Sequence, residues 1–150
     1  MQRKMLIFRN MAKEDAEAVA FLEQLNFQDA WTYKSILETY DQTQAFVTIA
    51  EEAGEIIGYC IIYFVLDEGE IARIAVHPKK QHKGIGKRLL DYTCEIGLEK
   101  GVHYLMLDVR ESNQAARKFY EQYGFKKDGI RKSFYERPIE DAVLMSKQIG

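Results

Sequence analysis

The spacing of hydrophobic positions predicts short strands and helices in the first half of the chain. Residues 6–9 predict a strand, and residues 13–25 place apolar side chains at near-helical spacing. A second helix is predicted to begin after an N-cap at Thr32 and to end near residue 40. Two strands follow at residues 45–51 and 55–66, joined by a tight turn at Gly54.

One apolar run stands out in this half. Residues 56–66 carry no charge and are rich in β-branched and aromatic side chains. The run is too short to cross a bilayer as a helix. It therefore predicts a buried strand.

Strands and helices alternate in the second half. The predicted order is a strand at residues 70–76, a helix at 84–100, a strand at 104–110, a helix at 113–123 and a strand at 142–147. His77-Pro78 ends the first of these strands, because proline has no N–H to donate. Gly101 and Gly124 suit the left-handed position that follows a helix. This pattern predicts a mixed α/β sheet with helices on both faces.

Composition and charge narrow the possible partners. The chain has 150 residues, 47% of them hydrophobic and 29% charged, with no linker, so residues 1–150 are expected to form one domain. The net charge of −2 does not favour nucleic acid or a membrane surface as a partner. Any anion that the protein binds must then be held by a local feature.

The cysteines and the N-terminus bear on the cellular compartment. Cys60 and Cys94 lie in apolar stretches without CxxC spacing, so we expect free thiols in a reducing, cytoplasmic environment. Residues 1–5 lead into an amphipathic pattern without the apolar core of a signal peptide. The three histidines have no metal-ligand spacing, so no metal is expected.

A glycine-containing loop joins a predicted strand to a predicted helix and could bind an anion. Backbone N–H groups at a helix N-terminus are free, and the helix dipole favours negative charge there. The alternative is a tight turn with solvated lysines. The loop is neither a GxxxxGK[ST] phosphate loop nor a dinucleotide fingerprint, because Leu89 occupies the position of a third glycine. Its residues are Gln81, His82, Lys83, Gly84, Ile85, Gly86 and Lys87.

Two motifs resemble a known family. The sequence Ile74-Ala75-Val76-His77-Pro78 followed by Gln81-x-x-Gly84-x-Gly86 resembles the acetyl-CoA signature of the GNAT superfamily of N-acetyltransferases. The run Leu107-Asp108-Val109-Arg110-x-Ser112-Asn113, continued by Phe119-Tyr120-x-x-Tyr123-Gly124-Phe125, resembles the Rim-type members, which acetylate the N-terminal alanine of a ribosomal protein. Phe27-x-x-Ala30-Trp31-Thr32 and Glu140-Asp141-Ala142 fit the same group, so the resemblance covers nearly the whole chain.

The resemblance implies a largely antiparallel GNAT-like sheet, acetyl-CoA as cosubstrate and a role for each matching residue. The main chain of Ile74, Ala75 and Val76 would hold the pantetheine arm, and residues 82–87 would hold the pyrophosphate. Asn113 would hydrogen-bond the cofactor, and Tyr120 would protonate the departing thiolate. Asp108 occupies the position of the catalytic base, where Rim-type relatives usually carry glutamate.

Two carboxylates compete for the role of base. Asp108 is costly to bury in a mostly apolar strand unless it is paired or hydrogen-bonded, so its alternative role is an ion pair, either with Arg110 on the same strand face or with a residue of another strand. Glu70 matches the catalytic glutamate of histone-type members. The two-residue period of a strand predicts Glu70 on the same face as Ile74 and Val76. Its alternative role is a solvated charge at a strand end.

Tyr120 and Asn113 also have structural alternatives. Tyr120 lies in an apolar stripe with helical spacing, which is typical of a packed core aromatic. Asn113 is a natural N-cap of the following helix.

Three functions remain open on the sequence. The first is acetylation of a protein N-terminus by direct transfer in a ternary complex, by a monomer or homodimer. The second is acetylation of a small amine such as a polyamine, amino sugar or amino acid, since one fold serves many acceptors. The third is a non-catalytic module that binds acyl-CoA.

Overall fold

The computed structural model describes residues 5–150. Residues 1–4, which contribute to the expectation about a signal peptide, lie outside the described residues. The helices are α1 (Ala16–Asn26), α2 (Tyr33–Tyr40), α3 (Ile85–Glu99) and α4 (Gln114–Tyr123). The strands are β1 (Leu6–Asn10), β2 (Ala45–Glu52), β3 (Glu55–Val65), β4 (Glu68–Val76), β5 (Tyr104–Arg110), β6 (Lys126–Glu136) and β7 (Ile139–Gln148).

Local sequence signals determine where the helices begin and end. Thr32 accepts a hydrogen bond from the backbone N–H of Ser35 (3.1 Å) as the N-cap of α2. Gly101 and Gly124 follow α3 and α4 at φ values of 87° and 109°, where other side chains are strained. The predicted extents of α2, α3 and α4 are confirmed. The helix predicted from residue 13 begins as a 3-10 turn at Lys13–Asp15, and α1 follows it.

The strands form one sheet in the order β1-β2-β3-β4-β5-β7-β6. Neighbouring strands are antiparallel except β4 and β5, which are parallel. The largely antiparallel mixed sheet is therefore confirmed.

Helices cover both faces of this sheet, as predicted. The face under α1 and α2 buries Val19, Leu22, Ile36, Ile49, Tyr59 and Ile61. The opposite face, under α3 and α4, buries Ile62, Leu89, Leu90, Leu105, Leu107, Tyr120 and Met145. Burial of these apolar side chains on both faces is the main source of stability for the fold.

The two cysteines are free thiols, as predicted. Cys60 is fully buried in β3, and this burial raises the pKa of its thiol to about 12. Cys94 is partly buried. Within residues 5–150, no helix is long and apolar enough to cross a membrane.

Strands β4 and β5 separate after a short paired segment. Glu68–Glu70 pairs with Tyr104–Met106, and the pairing ends there. The rest of β4 keeps β3 as its partner on one side only, which leaves an opening in the sheet between β4 and β5.

A β-bulge in β4 lies at the start of this opening. Ile61 is opposite Arg73 whereas Ile62 is opposite Ile71, so β4 carries one extra residue there. Ile71 and Ile74, three residues apart, consequently pack in the same cluster. The prediction that Glu70 shares a face with Ile74 and Val76 is wrong, because the extra residue reverses the alternation.

Strand β6 was not predicted. Most of its residues are exposed, and it forms the last strand of the sheet. Its pairing with β7 is interrupted between Lys127 and Gly129 and between Arg131 and Tyr135. A polar, irregular edge strand lacks the alternation by which a strand is recognised. Strand β7 also begins earlier than the predicted residue 142.

Candidate functional site

A large cavity of about 670 Å³ lies beside the opening between β4 and β5. It is bounded by the end of α1, the last residues of β4, the start of α3 and one side of α4. Its lining includes Asn26, Phe27, Ile74, Ala75, Val76, Gln81, His82, Gly84, Gly86, Lys87, Ala116, Phe119 and Tyr120. Most of the residues that the sequence predicted for cofactor binding therefore meet in one place.

The loop before α3 is anchored by Gln81. Its side-chain amide donates to the carbonyl oxygen of Val76 (3.0 Å) and to Asn26 Oδ1 (3.3 Å). The glutamine of the motif thus ties the loop to β4 and to α1. Sequence motifs alone had assigned it no such role.

The backbone of this loop leaves room for a ligand at the start of α3. Gly84 has a φ of 80°, and a Cβ built there would meet nothing within 4 Å. The first hydrogen bond of this end of α3 runs from Arg88 N to Gly84 O (3.2 Å), so the preceding N–H groups have no partner within the helix. The arrangement can hold an anion such as a pyrophosphate.

Two residues of the predicted loop point elsewhere. Ile85 is buried in the core under α3. Lys83 is exposed and does not line the cavity. Lys87 does line it and forms an ion pair with Asp91 (3.3 Å).

The end of β4 presents one free edge to the large cavity. Ile74, Ala75 and Val76 pair with β3 on one side, and the pairing with β5 has already ended at Glu70. An extended ligand could add to this edge as a further strand does.

Tyr120 is almost fully buried and lines the large cavity. Its ring packs against Phe119 and Phe125, with ring centroids 5.2 and 5.3 Å away. None of the described side chains hydrogen-bonds to its hydroxyl, and burial raises its pKa. The hydroxyl is therefore protonated near neutral pH. Tyr120 is both a packed aromatic and a possible proton donor.

Asn113 caps α4, as its structural alternative predicted. Its side-chain oxygen accepts a hydrogen bond from Ala116 N (3.1 Å). Asn113 is exposed and does not line the large cavity.

A second cavity, of about 330 Å³, lies where β4 and β5 begin to separate. Glu70 pairs with Met106 of β5, which lies on the same strand face as Asp108, and both carboxylates line this cavity. Met106, Asp128, Arg131 and Leu144 complete most of its wall. Sequence periodicity did not predict this convergence, nor did it single out Asp128 or Arg131.

The ion pair considered for Asp108 does not form. Arg110 pairs instead with Glu140 (3.3 Å) and donates to Pro138 O (3.1 Å). None of the ion pairs among residues 5–150 includes Asp108. Glu140 also accepts a hydrogen bond from Ser112 N (2.6 Å). Hydrogen bonding by the side chain of Ser112, followed by that of its backbone, lowers the pKa of Glu140.

Comparisons with known proteins agree with this geometry. The sequence profile of the acetyltransferase (GNAT) family matches residues 8–125. A [ribosomal protein bS18]-alanine N-acetyltransferase from Haemophilus influenzae is 36% identical over 135 residues, which is 88% of this chain and 91% of that protein. The crystal structure of the ribosomal-protein-S18-alanine N-acetyltransferase from Escherichia coli has a TM-score of 0.89 at 30% identity and covers 97% of this chain and 95% of its own.

A more distant structure shares the fold alone. An aminoglycoside 6'-N-acetyltransferase crystallised with coenzyme A has a TM-score of 0.86 at 14% identity, covering 96% of this chain and 97% of its own. The fold, the profile match and the identity to the curated relative agree. The chain therefore belongs to the acetyltransferase (GNAT) family and is an N-acetyltransferase.

Proposed function

We propose that this enzyme transfers an acetyl group from acetyl-CoA to the N-terminal α-amine of a protein, and that the acceptor is a ribosomal protein, as the names of its relatives state for them. The observation that carries the proposal is the convergence of Asp108 and Glu70 on one cavity at the opening of the sheet. Two free thiols and a ribosomal acceptor support a cytoplasmic location.

The large cavity fits acetyl-CoA. The open space above Gly84 and the free N–H groups at the start of α3 suit the pyrophosphate. The free edge of Ile74, Ala75 and Val76 suits the amide groups of the pantetheine arm. Asn113 lies at the adjacent start of α4, and its side-chain nitrogen is available to the cofactor because its oxygen serves as the cap.

Asp108 is the proposed base, assisted by Glu70, and Tyr120 is the proposed acid. The amine nitrogen bonds to the acetyl carbonyl carbon while the carbon–sulfur bond breaks. One amine proton passes to Asp108, directly or through water, and the Tyr120 hydroxyl gives a proton to the departing thiolate. Tyr120 is suited to this step because it lines the large cavity and carries its proton near neutral pH.

A carboxylate with the short reach of Asp108 is a sufficient base for an N-terminal α-amine. An α-amine has a pKa of about 7.7–8.0, and a lysine amine about 10.4. Near neutral pH roughly a tenth of α-amines are already neutral, against well under a thousandth of lysines. The missing methylene of Asp108 relative to glutamate is therefore tolerable for an N-terminal acceptor. The relatives do not favour the small-amine alternative.

An acceptor panel tests the proposal. The protein is incubated with acetyl-CoA and one acceptor at a time, and release of the CoA thiol is followed. The panel contains an alanine-initiated peptide, the same peptide with a blocked N-terminus, a polyamine, an amino sugar and a free amino acid. We expect the largest kcat/KM with the unblocked peptide. A larger value for any small amine would contradict the proposed acceptor.

A further inference from the structure

Two irregular segments flank the opening between β4 and β5. One is residues 27–32, the connection between α1 and α2, whose Phe27 lines the large cavity. The other is the hairpin of β6 and β7, whose Asp128 and Arg131 line the smaller cavity. We call them the helix wall and the hairpin wall. Asp108 lines the same cavity as Asp128 and Arg131 of the hairpin wall, and we take the space between the two walls as the path of the acceptor.

The helix wall is held from β4 by Arg73. The guanidinium Nη2 donates to both the backbone oxygen of Asp29 (2.9 Å) and its Oδ1 (3.1 Å). The guanidinium also lies over the ring of Phe27, 4.1 Å from the centroid. A single side chain thus fixes both the backbone of the wall and the aromatic residue that faces the cavity.

A buried carboxylate completes this attachment. Glu23 of α1 is fully buried, and its Oε1 lies 3.2 Å from Arg73 Nε. Glu23 also accepts hydrogen bonds from the backbone N–H of Trp31 (2.9 Å) and from the hydroxyl of Tyr59. The helix wall is therefore joined to the sheet by two charged side chains that neutralise each other.

The hairpin wall is held from β5 by Arg110. Its guanidinium lies 4.3 Å from the ring centroid of Tyr135 and donates to Pro138 O (3.1 Å). Its ion pair with Glu140 (3.3 Å) joins the hairpin to the start of α4, because Glu140 also accepts from Ser112 N.

We propose that Arg73 and Arg110 are positioning residues that determine affinity for the acceptor by holding the two walls of its cleft. The proposal rests on the proposed function. Neither arginine lines either cavity, so each acts through the wall that it holds. The two lie on the strands that separate, one on each side of the opening. Each uses the same combination of an aromatic ring, a backbone oxygen and a carboxylate.

A purely structural role makes a different prediction. Loss of a stabilising contact would lower the melting temperature and leave KM unchanged for molecules that remain folded. Loss of a positioning contact displaces a wall, and displacement by about 1 Å is sufficient for large kinetic effects. Acceptor KM should then rise by more than the Kd of CoA, because the loop at the start of α3 is untouched and Phe27 is the one residue of the helix wall that lines the large cavity.

Four variants and two kinetic titrations test this. Arg73→Lys retains the charge opposite buried Glu23, so that the protein keeps its fold, but it cannot make the forked contacts. Arg73→Gln and Arg110→Gln remove the charges. Arg9→Gln is the matched control, because Arg9 has comparable ion pairs with Asp15 (2.7 Å) and Glu51 (3.0 Å) away from both cavities. Initial rates are measured against acceptor peptide and against acetyl-CoA, with calorimetric CoA binding.

We expect acceptor KM to rise on the order of tenfold in Arg73→Lys and Arg110→Gln. CoA affinity should change by less than this in Arg73→Lys and not at all in Arg110→Gln, and Arg9→Gln should behave like the wild type. Wild-type acceptor KM in both would overturn the proposal, as would an equal loss of affinity for CoA. Failure of the proposed function is seen separately, in the wild type, as poor turnover of the peptide. The acceptor KM of each variant is then compared with that of the wild type by using the amine that the wild type does acetylate.

Discussion

Tyr120 is packed like a core aromatic and also carries a hydroxyl that can donate a proton. Its ring is buried between Phe119 and Phe125, yet none of the described side chains hydrogen-bonds to its hydroxyl, and Tyr120 lines the large cavity. Tyr120→Phe keeps the ring packing and removes only the proton donor. We expect nearly intact binding of CoA and a kcat lower by on the order of 10²–10⁴, the range for one general acid.

Tyr123→Phe is the matched control for that variant. Tyr123 lies on the same helix, and its hydroxyl donates to Asp91 (2.7 Å) outside the large cavity. Its loss should leave kcat close to that of the wild type. An unchanged kcat in Tyr120→Phe would make Tyr120 a packing residue only.

The two carboxylates of the smaller cavity should share the role of base. Asp108→Asn alone is expected to lower kcat/KM modestly, because Glu70 remains in the same cavity, and adding Glu70→Gln should lower it further. Asp108→Glu restores the reach of the residue at this position in Rim-type relatives, so it should retain activity or raise it. Steady-state rates with a peptide acceptor measure all three.

Asp128→Asn distinguishes a base from a general effect of negative charge. Asp128 lines the same cavity but lies beside Lys126, 4.0 Å away. Equal losses in Asp128→Asn and Asp108→Asn would show that charge alone matters. Wild-type rates in the double variant of Asp108 and Glu70 would remove both from the mechanism.

At the scale of residues, the sequence predicted the orientation of some side chains correctly and of others wrongly. Asp108 was correctly predicted to share a strand face with Arg110, and the structure places this face opposite the buried Leu105 and Leu107, because β5 is regular. The orientation of Glu70 was predicted wrongly, because one extra residue in β4 reverses a strict two-residue period. The roles of Arg73 and Glu23 could not be predicted, since their contacts join segments distant in sequence.

At the scale of elements, the start of α3 is the part of the fold that we propose binds the cofactor. Gly84→Asp adds a negative charge where the cavity is open and strains a backbone at a φ of 80°. We expect CoA affinity measured by calorimetry to fall by at least an order of magnitude, because the charge faces the pyrophosphate.

Gly54→Asp provides the control for backbone strain. Gly54 has a φ of 81°, and a Cβ there also meets nothing within 4 Å, but it lies in the turn between β2 and β3. This variant should be destabilised to a similar degree and bind CoA normally. Normal CoA binding by Gly84→Asp would contradict the assignment of the loop.

Elements with local signals were predictable and the edge strand was not. Each cap depends on one residue: Thr32 accepts a hydrogen bond through its side chain, and Gly101 and Gly124 adopt a positive φ. These residues predicted where the helices begin or end correctly. Strand β6 is exposed and irregular, so its residues carry no apolar alternation. That strand and its hairpin nevertheless form one wall of the proposed acceptor cleft.

At the scale of the whole molecule, the proposed site lies at the opening between β4 and β5, which no single element forms. The opening exists because β4 and β5 are parallel, pair over a short segment and then separate, while β5 takes β7 as its other neighbour. Strand order depends on pairing between distant residues, and periodicity does not report it. The family resemblance, carried by the motifs around Gly84 and Asp108, implied a largely antiparallel sheet with the cofactor held along residues 74–76, but it did not give the strand order.

The preference for an N-terminal amine over a lysine follows from the short reach of the base and from the pKa of each amine. A base of short reach can serve an amine that is already partly neutral, but it cannot serve a fully protonated lysine equally well. For a free N-terminus, kcat/KM should rise with pH and level off near the α-amine pKa of about 7.7–8.0. For a lysine, it should stay low and keep rising toward about pH 10.4.

The most direct measurement is kcat/KM against pH for two matched peptides with the wild-type enzyme. One peptide has a free N-terminus and no lysine, and the other has the same sequence with a blocked N-terminus and one lysine. The account predicts faster acetylation of the free N-terminus near neutral pH, with a plateau on its profile. Faster turnover of the blocked lysine peptide at that pH would contradict N-terminal acetylation by this site.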